Sequence, residues 1–374
     1  MKNWEEQIEL PNKASDIDYA YILISDDKPV ICTQEEMLKV IENNEDVKFV
    51  TTPQNDRFIV LGSDFETLQP LLKKKKDSIK SNLYVGLVIS VLWIGLMLLF
   101  SLTSDNGFWS DTTGKLNLLV FGVIPVLNSI YELISIRRIN ESNYIKESSE
   151  IKFNFWINQK KIISIFIVTG VLVLITLLQF ITGLKDSVEL AGLVKPKTLE
   201  GQYWRLLTCT LLHGSVMHIL FNGIAIFIIG RMVIRITGFS YFSVVFLFSG
   251  LLGSIFSLYF MPKETSVGAS GGIMGLIGFI LILGLKFKDN IPRNIIKSMV
   301  NTIILVTIIG ISASEMIDNA AHGGGLIGGI LIGLLLIRKR ENMIPYRPTL
   351  LINILGIAST LILIAGIGMI VKQL

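Results

Sequence analysis

From residue 83 onward the chain is a succession of long apolar runs separated by short polar segments. Its first 80 residues alternate on a much shorter period. A helix needs about 20 apolar residues to cross the roughly 30 Å hydrocarbon core of a bilayer. Runs of that length predict nine spans, near 83–103, 116–136, 162–184, 213–231, 240–260, 268–285, 296–314, 320–337 and 348–371. Inside those limits only Glu132, Arg231 and Lys297 are charged, and all three fall toward an expected inner end.

The head, residues 1–80, reads as a small α/β module. YAYILIS, VKFVTT and RFIVLG have strand composition, the last two flanking the turn-forming PQND. Thr33 and Glu36 stand at capping-box spacing ahead of the helical run EEMLKVIEN. A second start at Ser63-Asp-Phe-Glu66 opens a helix that runs through Lys73–Lys76 toward the membrane, with a linker expected at about 72–82. The expected organisation is thus a head at 1–80, a two-span hairpin with its linker at 81–161, and a membrane domain at 162–374.

Composition agrees with this division. The 374 residues are 51% hydrophobic and 17% charged, with 32 glycines, and the mean hydropathy is +0.60. Of the 64 charged residues, 27 lie in residues 1–80, where acids outnumber bases. A water-soluble globule and a disordered chain are both excluded. Lys and Arg beside the spans give the orientation, since cytoplasmic flanks carry the excess. With the tetralysine on the inner side, inner flanks hold 21 and outer segments 7. The expected topology has a cytosolic N-terminus and an outward C-terminus. The start MKNWEEQIEL has neither a basic nor an apolar leader region, so no cleaved signal is expected. Cys32 and Cys209 imply no disulfide framework, no basic patch interleaved with aromatics points to nucleic acid, and no metal or cofactor is expected.

Histidine occurs only at His213, His218 and His322. All three fall at or just inside the expected outer face, at the starts of spans running inward. Ser270 begins a third span of that direction, at nearly the depth of His322. Ionisable residues within a membrane mark functional sites. A serine hydroxyl needs an adjacent base to become a nucleophile, which an imidazole supplies near neutral pH. His218 and Asn222, one turn apart, can aim at one oxygen. Glycines at 268, 271, 272, 275 and 278 are expected to face those at 324, 325, 328 and 329, so that the two helices approach closely. Asp318, four residues before His322, reads as a helix N-cap, with a direct orienting role toward His322 as the lesser alternative.

Four ordered motifs carry a resemblance to the rhomboid intramembrane serine proteases. They are Gly201-Gln-Tyr-Trp204-Arg205, His213-x4-His218-x3-Asn222, Gly268-x-Ser270-Gly271 and Asp318-Asn-Ala-Ala-His322-Gly-Gly. The resemblance covers roughly 160–371. It implies an all-α polytopic fold with a six-helix core, 162–337, and a seventh helix at 348–371. It also implies a dyad of Ser270 as nucleophile and His322 as general base, with His218, Asn222 and the Ser270 amide as oxyanion hole. Trp204 and Arg205 would belong to an outer loop lying against the membrane, with His213 and the glycines 268 and 271 in support. Where family members often carry an aromatic ring four residues after the serine, this chain has Met274, which implies an altered substrate pocket.

The substrates so implied are membrane proteins with one or few spans. They would pass the helix 296–314 from the lipid, beneath a cap at 312–319 kept wet by Glu315 and Asp318. The alternative is a catalytically silent rhomboid-like protein that binds and escorts membrane clients. A transporter built on the three histidines would need polar groups at midplane and internal repeats, which the sequence lacks. The head and hairpin read as an anchor, or as a module that recruits clients.

Overall fold

The computed structural model describes residues 4–14, 17–24, 28–43, 46–103, 118–159, 162–262, 265–312, 317–338 and 344–374. It divides into two compact units, Glu5–Trp156 and Ile157–Leu374, the second including Trp4.

In the first unit, strands β1 (Ala20–Leu23), β2 (Val30–Ile31), β3 (Val47–Thr51) and β4 (Ile59–Val60) form an antiparallel sheet in the order β2-β1-β3-β4. The two-residue β2 was not foreseen from composition. Helix α1 (Gln34–Glu42) starts at the expected capping box. The Glu36 amide donates to Thr33 Oγ1 at 3.3 Å, and the Thr33 amide donates to Glu36 Oε2 at 2.8 Å. Side chains alternate across a strand, so successive residues of β3 serve different cores. Val50 packs with Met37 and Ile41 of α1, and Phe49 with Ile22, Phe58 and Val60 on the other face.

That second face is covered by a helix from far along the chain, α4 (Ile145–Asn158), whose Ile151 and Phe155 pack against it. The Phe49 and Phe155 ring centroids lie 5.4 Å apart. Ser148 Oγ donates to the Ser63 carbonyl at 2.7 Å.

Helix α2 runs unbroken over Phe65–Thr103, so the helix expected through Lys73–Lys76 continues across the whole linker segment 72–82. Lysines are good helix formers, and Leu68, Leu72 and Ile79 make one buried stripe against Ile136 of helix α3 (Ile124–Arg137). A π-helical turn, Leu118–Val123, leads into α3. The beginning of the span expected at 116–136 lies outside the described residues.

In the second unit, α5 (Ile163–Thr182) is followed by a folded segment of short helical turns through Leu211. Then come α6 (Val216–Thr237, with a π turn at Ile226–Gly230), α7 (Phe239–Phe260), α8 (Ser270–Lys286), α9 (Arg293–Ser312), α10 (Asn319–Leu336) and α11 (Leu350–Gln373). Seven helices among the described residues are long and apolar enough to cross a membrane: α2, α5, α6, α7, α9, α10 and α11. The protein is therefore a mostly helical, multi-pass membrane protein with a small sheet-bearing head. Helix α8, at 17 residues, is shorter and is buried along nearly its whole length. That suits a helix apolar on every face.

Helices α7, α8 and α10 form the tight centre. The glycines do not all face one another as the sequence pattern implied. Gly271 and Gly275 of α8 meet Gly325 and Gly329 of α10, and a Cβ at Gly278 would lie 2.6 Å from the Leu326 carbonyl. Contacts that advance together along both helices make α8 and α10 parallel. Gly324 and Gly328, one residue away and so about 100° round the helix, face α7 instead. Gly324 meets Phe256 and Gly328 meets Ser249. Gly272 likewise meets Phe246. Two offset glycine stripes on α10 thus seat two neighbours. Lys286 closes the far end, donating from Nζ to the carbonyls of Gly333, Leu334 and Ile337 at 3.0, 2.9 and 2.6 Å.

Candidate active site

Ser270 is the first residue of α8, and His322 lies in the first turn of α10. The residues beside them touch: a Cβ at Gly271 would stand 3.4 Å from the Ala321 carbonyl oxygen. Both Ser270 and His322 are half-buried. His322 Nδ1 is enclosed without a hydrogen-bond partner among the described residues.

His218 and Asn222 stand on the first turns of α6, which is capped by Ser215 accepting from the His218 amide at 3.1 Å. Gly268 brings them to Ser270. Its φ of +132° lies where L side chains are rare, and a Cβ there would be 2.6 Å from His218 Nε2 and 3.6 Å from Asn222 Nδ2. Asn222 is 7% exposed, and its Nδ2 has no partner among the described residues. The Gly268 amide donates to the Cys209 carbonyl at 2.8 Å, which fixes the turn leading into α8.

His213 is fully buried and holds the start of this segment to α5. Its amide donates to Gln179 Oε1 at 2.9 Å, Gln179 Nε2 donates to its carbonyl at 3.1 Å, and Thr176 Oγ1 lies 3.3 Å from its Nδ1. The His213 ring meets that of His218 edge-on, centroids 5.2 Å apart at 81°. Thr176 and Gln179 are polar residues inside an apolar span. That signal could have marked them in the sequence.

Arg205 is buried in the segment between α5 and α6 and is fixed there by three acceptors. They are Gln202 Oε1 at 2.7 Å and the carbonyls of Gly192 and Glu189 at 2.7 and 3.2 Å. Its guanidinium lies 4.7 Å from the Trp204 ring centroid. Arg205 thus braces the loop. Met274 is buried one turn below Ser270.

Asp318 caps α10, its Oδ1 accepting from the Ala321 amide at 2.8 Å. Its Oδ2 accepts from the hydroxyls of Ser257 and Ser266. Nothing in the sequence distinguishes those two serines. Residues 313–316 of the cap expected at 312–319, Glu315 among them, lie outside the described residues.

Residues 200–339 match the rhomboid domain family. RHOMBOID-like protein 4 of Arabidopsis thaliana is 36% identical over 189 residues, 47% of this chain and 48% of that protein. Rhomboid protease GluP of Bacillus subtilis (strain 168) is 39% identical over 130 residues, 35% of this chain and 25% of that protein. The chain thus spans half or less of the length of these two relatives. The putative rhomboid protease YdcA of the same bacterium is 34% identical over 143 residues, and there the match covers 71% of the relative. With a family domain over the central helices and a relative matched across most of its length, the chain belongs to the rhomboid family.

Proposed function

We propose that the protein is an intramembrane serine endopeptidase acting on membrane proteins with one or few spans. The observation that supports this reading most is the convergence of unpartnered polar atoms on the start of α8. Among the described residues Asn222 Nδ2 and His322 Nδ1 are enclosed without partners, and His218 Nε2 lies against the turn that delivers Ser270. Enclosed polar groups are normally satisfied, and an exception calls for an explanation, a catalytic role among them.

In this mechanism Ser270 Oγ attacks the scissile carbonyl carbon while His322 takes the hydroxyl proton. The oxyanion of the tetrahedral intermediate accepts hydrogen bonds from His218, Asn222 and the Ser270 amide. The C–N bond breaks as His322 returns the proton to the leaving amine. Water then attacks the acyl ester, giving up its proton through His322, and Ser270 is restored. The site lies near the outer face, with the N-terminus cytosolic and the C-terminus outside, as the Lys/Arg bias indicates. Substrates arrive from the lipid past α9 and unwind near a small residue to present their backbone.

The test compares wild type with Ser270→Ala and His322→Ala in liposomes holding a single-span substrate. Cleavage present in wild type and absent from both variants supports the reading. Cleavage unchanged in Ser270→Ala sinks it and leaves the client-binding alternative. Residues 5–156 fold around their own cores, which supports a recruiting role for that unit. A chain lacking 1–156 that cleaves the same clients at the same rates would leave it as an anchor.

A further inference from the structure

The Asp318 carboxylate does more than cap a helix. As the N-cap of α10 it needs only Oδ1, which receives the Ala321 amide at 2.8 Å. Oδ2 is taken up by two hydroxyls from other parts of the chain, Ser257 near the end of α7 and Ser266 in the turn before α8. Ser266 stands four residues ahead of Ser270, and Asp318 four residues ahead of His322. The Ser266 turn is held in turn by the outer segment. Leu193 and Ser266 exchange backbone hydrogen bonds of 3.0 and 3.3 Å, and the Gly268 amide bonds the Cys209 carbonyl.

We propose that Asp318 is a positioning residue for the reaction, strapping the turn that delivers Ser270 to the helix end that carries His322. This rests on the reading of those two residues as nucleophile and base. An ionised carboxylate offers two acceptor oxygens and no donor, so one side chain serves donors from three segments. Serine or asparagine caps a helix as well as aspartate does. Capping alone therefore leaves the second oxygen and its two hydroxyls without a purpose. The strap supplies one: helices α8 and α10 fix the lateral approach of Ser270 and His322 through their glycines, and Asp318 fixes the turn above them. Small displacements there are costly, because an error of about 1 Å in a reacting group lowers rates on the order of 10²-fold.

Three substitutions separate the strap from the cap. Asp318→Ser keeps the cap and is too short to span to both serines. Asp318→Asn keeps the cap and offers an amide that both hydroxyls accept after rotating. Asp318→Ala removes cap and strap. Each is compared in liposomes with Ser257→Ala/Ser266→Ala, reading kcat and KM on a single-span substrate, thermal unfolding, and amide exchange of the peptide spanning 265–270. The expected result is a kcat loss on the order of 10²-fold in Asp318→Ser and in the double variant, with KM within about twofold and exchange at 265–270 accelerated. Asp318→Asn restores kcat and slow exchange, and Asp318→Ser melts with wild type. Asp318→Ser and the double variant turning over like wild type, or slow exchange in both, would overturn the proposal. The exchange readout needs no cleavage, so failure of the protease reading, seen as no Ser270-dependent cleavage in wild type, is distinguished from failure of the strap.

Discussion

Gly268 lies against the His218 ring, and a side-chain carbon there would meet Nε2 at 2.6 Å. Its φ of +132° is also strained for any L side chain. Gly268→Ala therefore moves His218 or the turn before Ser270, and both belong to the proposed oxyanion site. Removing one oxyanion donor typically costs about 10²–10³ in kcat, and a loss of that size is expected. Cleavage of a single-span substrate in liposomes checks it, with thermal unfolding run alongside to confirm the fold. A full rate would mean that the His218 donor plays no part.

The glycine stripes make a prediction about stability. A Cβ at Gly278 meets the Leu326 carbonyl at 2.6 Å, a backbone atom that cannot rotate away. Gly278→Ala must push α8 and α10 apart and is expected to cost about 1–3 kcal/mol. Gly368, on α11, has nothing within 4 Å of such a carbon, so Gly368→Ala should stay within about 0.5 kcal/mol of wild type. Thermal unfolding of the two variants in one detergent measures the contrast. Equal melting temperatures would show that close α8–α10 contact does not govern stability.

Lys286 ties α8 to α10 at the opposite end from Ser270. Its ammonium serves three carbonyls at the end of α10, where a cation also complements the helix dipole. Lys286→Met keeps the stem and removes the donors. Hydrogen bonds from charged groups contribute roughly 1.5–3 kcal/mol, and half-exposure lowers this to about 1–2 kcal/mol. The loss should appear in unfolding while the chemistry proposed at Ser270 is spared, since the two lie at opposite ends of the helix. A variant that melts normally would assign the lysine to solvent.

Much of this arrangement is readable along the chain because its signals are local. Apolar length marks α5–α11, and the capping box of Thr33 and Glu36 marks the N-cap of α1. Four short motifs mark the family. What stayed hidden depends on distant partners. No window around Phe49 reveals that Phe155, more than a hundred residues on, closes the second face of the sheet. The pattern of glycines gives their number but not their partners, since a one-residue offset turns Gly324 and Gly325 toward different helices. Ser257 and Ser266 look like any other serines until Asp318 gathers them. Lys73–Lys76 read as helix locally, but that Leu68, Leu72 and Ile79 bury one side of that helix against Ile136 depends on a partner far along the chain.

Glu147, on α4, gives the head unit a pH dependence of defined sign. Burial pushes its carboxyl above the ordinary value of 4.5, and Lys75, 3.6 Å away, offsets this only in part. A carboxyl whose folded-state pKa is raised binds its proton more tightly in the folded state than in the unfolded one. Above the raised pKa the group is charged in both states and opposes folding. As pH falls through that value toward 4.5, the folded state takes up its proton first and gains stability. Glutamine reproduces the protonated form at every pH. Glu147→Gln is therefore expected to slow amide exchange in the helix Ile145–Asn158 of the intact protein at pH 7. The gap from wild type should narrow as pH drops and vanish below 4.5. Faster exchange in the variant at pH 7 would show that the Lys75 pair outweighs burial, and a gap unchanged by pH would remove titration of Glu147 as its cause.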